Sequence, residues 1–176
     1  MIPIRTRAWF ASLDDTPIGP LALAASEQGL VRISLYSMDG MKRAPDFAPQ
    51  AWEGGNGPAP ASLAEGVRQL DEYFHGQRRV FDLPLDLEGY TPLTLQILAL
   101  CKAIPFGQTR TYGSLAVDAG RPAAARYVGT CMALNPLPLV IPCHRMVGSD
   151  GSLRGFGAPG GLATKAWLQR FEREEL

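Results

Sequence analysis

Residues 112–135, YGSLAVDAGRPAAARYVGTCMALN, hold two short helical stretches separated by a Gly-Arg-Pro turn. That is the size and punctuation of a helix-turn-helix, and Pro122, whose fixed φ and missing N–H suit a first helical turn, is the predicted start of the second helix. The second helix is rich in small residues, among them Ala123, Ala124, Gly129 and Ala133, so its backbone can lie close to whatever it faces. It should end at Asn135-Pro136. Upstream, Pro92 opens another predicted helix with Leu93, Ile97, Leu100 and Ile104 on one stripe, stopped by Pro105 and Gly107. Downstream, LPLVIPCHRMVG (137–148) reads as an apolar, strand-like piece confined by three prolines. A turn at 148–151 and the loop GFGAPGG (155–161) then lead into a last helix, LATKAWLQRFEREEL.

The N-terminal half is built differently. AWFASL, LALAAS and LVRISLY are β-rich runs separated by the turn sequences TPIGP and EQG, which predicts a three-stranded antiparallel meander. Between Asp39 and Pro60 glycines and prolines are too dense for a regular element, so an exposed loop is expected. Ser62 is the expected N-cap of a helix, with Glu65 completing a capping box and Leu63, Val67, Leu70 and Phe74 at helical spacing, a face that would cover the meander. RRVFDLPLDLEG (78–89) offers one more extended strand. The expected fold class is therefore α+β. Residues 1–90 would form a small domain with an antiparallel sheet and a helix, and residues 91–176 a mainly helical, winged-helix-like domain.

Composition bounds what such a chain does. With 176 residues, 46% hydrophobic and 19% charged, a sizeable core is possible without disulfides. Three cysteines, Cys101, Cys131 and Cys143, are an odd number without CxxC spacing, which argues against a disulfide framework and a structural zinc. No apolar run reaches eighteen residues and MIPIRTRAWFASLDD lacks the plan of a signal peptide, so no membrane partner and an intracellular location, cytoplasmic in a prokaryote, are expected. The formal net charge is zero, yet residues 1–90 carry 8 basic and 12 acidic side chains and residues 91–176 carry 9 and 5. That asymmetry points to a nucleic-acid or phosphate partner for the C-terminal half only.

Cys143 followed by His144 is the pair with the most chemistry in it. A thiol is a good nucleophile only as thiolate, and an imidazole or a cation nearby helps form it. Adjacent residues do not face each other in a strand or helix, so the pair needs a bent backbone or a bridging water. Cys101 and Cys131 read instead as buried core thiols. A Cys-His pair usually wants a third group to orient the imidazole. Asp150 and the acids of the last helix are the candidates. On that helix Lys165, Leu168 and Glu172 share one stripe, which favours Glu172; a plain surface charge is the other reading, and the residues alone leave both open.

IPCHRMVG resembles the active-site signature of the O6-alkylguanine-DNA alkyltransferases, also called methylated-DNA protein-cysteine methyltransferases. The likeness extends through IPFGQTRTYGSLA, PAAARYVGTCMALNP and GGLATKAWLQRFE, with TPIGPLALA in the N-terminal half. It implies that Cys143 accepts the alkyl group, that His144 acts as a base through water, that Glu172 holds and polarises His144, and that Asn135 braces the active-site turn. It further implies that Tyr112 hydrogen-bonds an extruded guanine and that Arg126 is a finger filling the gap in the base stack. Met146, Phe156, Gly157 and Ala158 would line the guanine pocket, with Lys165 nearby. Ala123, Ala124, Gly129 and Arg126 would meet the minor groove. The small residues of 157–159 suggest room for alkyl groups larger than methyl. The implied partner is double-stranded DNA carrying O6-alkylguanine, with O4-alkylthymine a second candidate lesion. The protein would be a monomer, cooperative binding along DNA being left open, and would need neither cofactor nor metal. Two departures stand out: Leu93 and Leu98 occupy places where relatives usually carry Phe and Trp, and the N-terminal zinc ligands of some members have no counterparts, His75 being the only other histidine.

Three rival functions remain. A lesion-binding relative would flip the base without reacting, but such relatives lack the acceptor cysteine. A helix-turn-helix regulator would use Cys143 as a sensor and leave a sequence-specific footprint. A thiol hydrolase or transferase acting on small molecules would turn over repeatedly.

Overall fold

Three β-rich runs near the N-terminus pair as the meander reading expects: β1 (Arg7–Leu13), β2 (Leu21–Ser26) and β3 (Gly29–Ser34) are antiparallel neighbours. The computed structural model describes residues 7–42, 53–54 and 58–174. The chain divides into two compact units, Met1–Gly89 and Tyr90–Leu176.

In the first unit β2 is an interior strand of the sheet, between β3 and β1, and every one of its residues is buried. Alternate side chains point to opposite faces of a strand, so burial of all six requires a cover on each side. On one face α2 (Ala61–Phe74) lies so close that a Cβ on Gly66 would sit 3.1 Å from both Leu23 and Leu30. On the other, Ala22 and Ala24 pack with Met41 of a short helix, α1 (Met38–Lys42). The expected loop between Asp39 and Pro60 thus begins within a helix, and it also contains a two-residue strand, β4 (Glu53–Gly54), paired parallel with β1. The remainder of that stretch, 43–52 and 55–57, lies outside the described residues.

Two further expectations change. The N-cap of α2 is Pro60, with no side-chain cap; Ser62 is inside the helix, buried, and its hydroxyl has no hydrogen-bond partner among the described residues. A proline with ψ near 144° already provides the extended residue a helix start needs, which moves the boundary two residues upstream of the capping box. The segment 78–89 contributes only one bridge, Leu30 with Leu85, where Leu30 N donates to Pro84 O and Asp86 N to Leu30 O. Pro84 has no N–H to extend the ladder.

In the second unit α3 (Pro92–Lys102) opens with Pro92 at its first position, capped by the Thr91 hydroxyl accepting from Thr94 N. Its buried face is Ile97, Leu98 and Cys101, with Ile104 just beyond. Leu98 fills core volume where an aromatic was expected in relatives, Leu93 is half-buried, and Leu100 is turned partly to solvent. Next come β5 (Arg110–Thr111), α4 (Tyr112–Asp118) and α5 (Ala125–Ala133). The second helix of the pair starts at Ala125 and not at Pro122. Ala124 N donates to Arg121 O, closing a β-turn in which Pro122 occupies the second position, where its fixed φ serves equally well.

The apolar piece 137–148 is not a continuous strand. It winds through a tight turn with Leu139 at φ 73°, bridged between Pro138 and Ile141, then a 3₁₀ turn at Cys143–Arg145, and Met146–Val147 forms a short strand (β6), parallel with β5. Pro136, Pro138 and Pro142 lack the donors a ladder needs. The unit closes with α6 (Leu162–Glu172). No helix among the described residues is long and apolar enough to cross a membrane.

Candidate active site

The 3₁₀ turn answers the geometric difficulty of adjacent Cys and His. Arg145 N donates to Pro142 O at 2.9 Å and Cys143 N to Ile141 O at 2.8 Å, so Cys143 and His144 sit on the tightly held, bent backbone that the pair requires. Asn135 fixes this turn from the end of α5: its Nδ2 donates to Ile141 O at 2.7 Å, and its Oδ1 accepts from Leu137 N at 3.0 Å. A helix C-terminal asparagine is here a brace for the segment that follows.

His144 is fully buried, Glu172 is 3% exposed and Cys143 7%. His144 Nε2 lies 2.8 Å from Glu172 Oε1. Arg145 grips the same carboxylate from the other side, Nε donating to Oε2 and Nη2 to Oε1, each at 2.8 Å, while its Nη1 donates to Ile104 O. Gly107 N adds a donor to Oε2 at 3.2 Å, and Gln169 Nε2 holds His144 O at 2.7 Å. Only glycine serves at 107: its φ is +75°, and a Cβ there would sit 2.9 Å from Glu172 O. Phe106 covers the Arg145 guanidinium, with Arg145 Cζ 5.8 Å from the ring centroid.

These contacts set the protonation states. Burial pushes the His144 imidazole below its ordinary value, outweighing the pull of Glu172, so it is neutral near pH 7. Burial also works against ionisation of Glu172, but the hydrogen bond from His144 and the Arg145 guanidinium hold its carboxyl well below the usual carboxylate range. With His144 neutral, the permanent charge of Arg145 is what keeps the carboxylate ionised. A carboxylate can only accept, so the ring proton of His144 belongs on Nε2. Nδ1, buried and without a hydrogen-bond partner among the described residues, then carries a free lone pair. Burial raises the Cys143 thiol, opposed by a hydrogen bond from Asn135 and the positive charge of Lys165. It is an unionised thiol at rest and needs a base.

Lys165 is fully buried and not a surface charge. Its Nζ donates to Arg154 O at 3.1 Å and to Tyr112 OH at 3.4 Å, tying α6 to the 148–158 loop and to the start of α4. Met146 is buried in β6, Ala158 is buried, Phe156 is half-buried and Gly157 is exposed. The helix-turn-helix residues stand apart: Ala123 is exposed, Ala124 and Gly129 are half-buried, and Arg126 projects from α5 without joining the hydrogen bonds around Cys143. Cys101 and Cys131 are buried in the core. Among the described residues no group of three or more His, Cys, Asp or Glu side chains could hold a metal ion.

Sequence reasoning passed over Arg145, Gln169 and Gly107. Arg145 did carry a signal, being an arginine inside an apolar, proline-bounded run that holds no acid of its own, so that once buried it requires a carboxylate from outside the run.

Comparison with known proteins places these features in context. The 6-O-methylguanine DNA methyltransferase DNA-binding domain matches residues 92–174, and the ribonuclease-like domain of the same methyltransferase matches residues 10–87. A methylated-DNA–protein-cysteine methyltransferase of Methanosarcina barkeri is 40% identical over 162 residues, covering 92% of this chain and 96% of its own. A constitutive methylated-DNA–protein-cysteine methyltransferase of Bacillus subtilis is 35% identical, covering 90% and 92%. The crystal structure of Mycobacterium tuberculosis OGT in complex with DNA is similar at a TM-score of 0.77 and 33% identity, covering 94% of this chain and 92% of that one.

Proposed function

The chain belongs to the 6-O-methylguanine DNA methyltransferase family, and from that premise we propose that it repairs O6-alkylguanine in duplex DNA by moving the alkyl group irreversibly onto Cys143. The observation that carries this reading is the buried His144–Glu172–Arg145 cluster next to a buried cysteine in a braced turn. His144 Nδ1 takes the thiol proton through a water molecule, and Glu172 stabilises the imidazolium that forms. The thiolate attacks the alkyl carbon: the sulfur–carbon bond forms as the carbon–O6 bond breaks, and the electron pair leaves with guanine. The Tyr112 hydroxyl hydrogen-bonds the departing base and supplies the proton that neutralises it. The thioether has no route back to thiol, so each chain acts once.

An alkyl carbon on a stacked, paired guanine is out of reach of a thiol held in a protein pocket, so the nucleotide must be extruded. The second unit supplies the DNA-binding alkyltransferase domain, with α5 in the minor groove, its small residues permitting close approach and Arg126 filling the vacated stack. Phosphate contacts and the easier extrusion of a badly paired base give lesion selectivity without sequence selectivity. A Cβ on Gly155 or Gly157 would meet nothing within 4 Å, which supports a pocket wall with room for alkyl groups beyond methyl. A benzylated guanine repaired far more slowly than a methylated one would count against that.

The test is the intact mass of the protein after incubation with a duplex containing one O6-methylguanine, followed by peptide mapping. The expected result is the mass of one methylene added, located on Cys143 and saturating at one per chain. Binding without a mass change would turn the reading into one of the two non-reactive rivals, and repeated turnover into the third.

A further inference from the structure

We propose that Tyr127 is a positioning residue for DNA repair, its hydroxyl tying α5 to the N-terminal end of α3 and so fixing how Arg126 is presented. The proposal rests on the reading of α5 as the DNA-facing helix.

α5 is poorly equipped to hold its own place. It has nine residues, its N-cap is Ala124 with no side-chain hydrogen bond, and Gly129 lies in its interior. Helices this short are marginal alone and depend on tertiary contacts. Val128, Cys131 and Met132 supply the buried side, but apolar packing is non-directional and leaves rotation about the helix axis loosely set. The directional contact is Tyr127 OH, 2.9 Å from Thr94 Oγ1, which in turn lies 2.9 Å from Thr91 Oγ1. Thr91 is also the N-cap of α3, so this chain of hydroxyls ends on a rigid helix start. Hydrogen bonds of Cys131 with Thr94 and Tyr127 draw a buried thiol into the same cluster. Tyr127 and Cys131 thus meet at the same Thr94 hydroxyl, with Tyr127 supplying the oxygen–oxygen hydrogen bond.

Tyr127 remains 38% exposed, flanking the outward face formed by Arg126, Thr130 and Ala133. An aromatic side chain there would obstruct close approach if it were free to swing over that face. Hydrogen-bonded to α3, it is parked at the edge, and Arg126, one residue away, keeps a single bearing.

Tyr127→Phe keeps the ring and removes the tie, Thr94→Val removes it from the other side, and Thr94→Ser retains it. The readout is the rate of alkyl transfer from an O6-methylguanine duplex beside that from free O6-benzylguanine base, with thermal unfolding followed in parallel. Tyr127→Phe and Thr94→Val should each slow the duplex reaction about three- to tenfold, the range of one lost neutral hydrogen bond. The free-base rate should be unchanged, the double variant should lose no more than either single one, and Thr94→Ser should match wild type. Equal losses on both substrates, losses that multiply in the double variant, or an undiminished duplex rate would each overturn the proposal. Absence of transfer from wild-type protein to either substrate would instead overturn the functional reading on which it rests.

Discussion

Two charged clusters of this molecule use the same side-chain chemistry in opposite surroundings. On α2, Arg68 pairs with Glu65 and Glu72, and Arg78, beyond the end of the helix, reaches Glu72; every member keeps at least 22% of its side chain exposed to water. In the second unit Arg145, Glu172 and His144 form their pairs at 6% side-chain exposure or less. Water screens the first cluster and would solvate any partner left behind, so its members are nearly interchangeable with other polar residues. In the second each member exists at the demand of the others, because an unpaired charge there has nothing to replace its hydration. An ion pair is therefore informative about function in proportion to what its removal strands.

Glu172→Ala should show the largest effect, since it leaves the Arg145 guanidinium buried without its carboxylate. A loss of about 3–5 kcal/mol in urea unfolding is expected, together with loss of alkyl transfer. If Glu172→Ala were as stable as wild type, the buried cluster would be no different in kind from the exposed one. Asn135→Ala should follow, costing about 2 kcal/mol because Leu137 N loses its partner and Ile141 O one of its two, and slowing transfer as the turn at Cys143 loosens.

The pH dependence sharpens the contrast. His144 has its folded value depressed below 6.5, so the unfolded chain binds the extra proton first and stability falls as pH drops below 6.5. Glu172, also depressed, contributes stability that is complete above the ordinary carboxylate value of 4.5 and is lost as pH falls further. The transfer rate should stay level through pH 6.5 and decline only in more acid solution, once His144 takes up a proton; a midpoint at or above 6.5 in the rate profile would contradict a neutral, buried base. The smallest effect belongs to Arg68→Ala, whose melting temperature should fall within the scatter of wild-type measurements.

Local patterns were legible in sequence wherever the determinant was local. The β1–β3 meander, the Pro92 helix start and the helix pair follow from turn residues and periodicity. Pro122 misled because a proline at the second position of a β-turn and one at the first position of a helix share the same φ. Ser62 misled because Pro60 had already provided the extended boundary residue. The strand-like reading of 137–148 counted apolar side chains and not the donors that three prolines remove. Within the site, Cys143 and His144 stood out by adjacency, while the stripe on α6 made Glu172 a candidate and left a plain surface charge equally open. Arg145 and Gly107 did not, because their reason for being there is a carboxylate 27 and 65 residues away. The burial of Lys165 was not legible, since nothing in a helical stripe tells whether a loop will close over it.

The hydrogen bond from Gly107 to Glu172 also orders events in time. It joins two points 65 residues apart, enclosing α4, α5 and the cysteine turn within one loop. Such a closure draws its chain-entropy cost before any of its contacts repay it, so the basic site cannot assemble from a local fragment and should appear only as the unit completes its folding. In native-state hydrogen exchange the Gly107 amide should accordingly open with the slowest class of amides in this unit, making a single proton the reporter of when the cluster around Glu172 is complete.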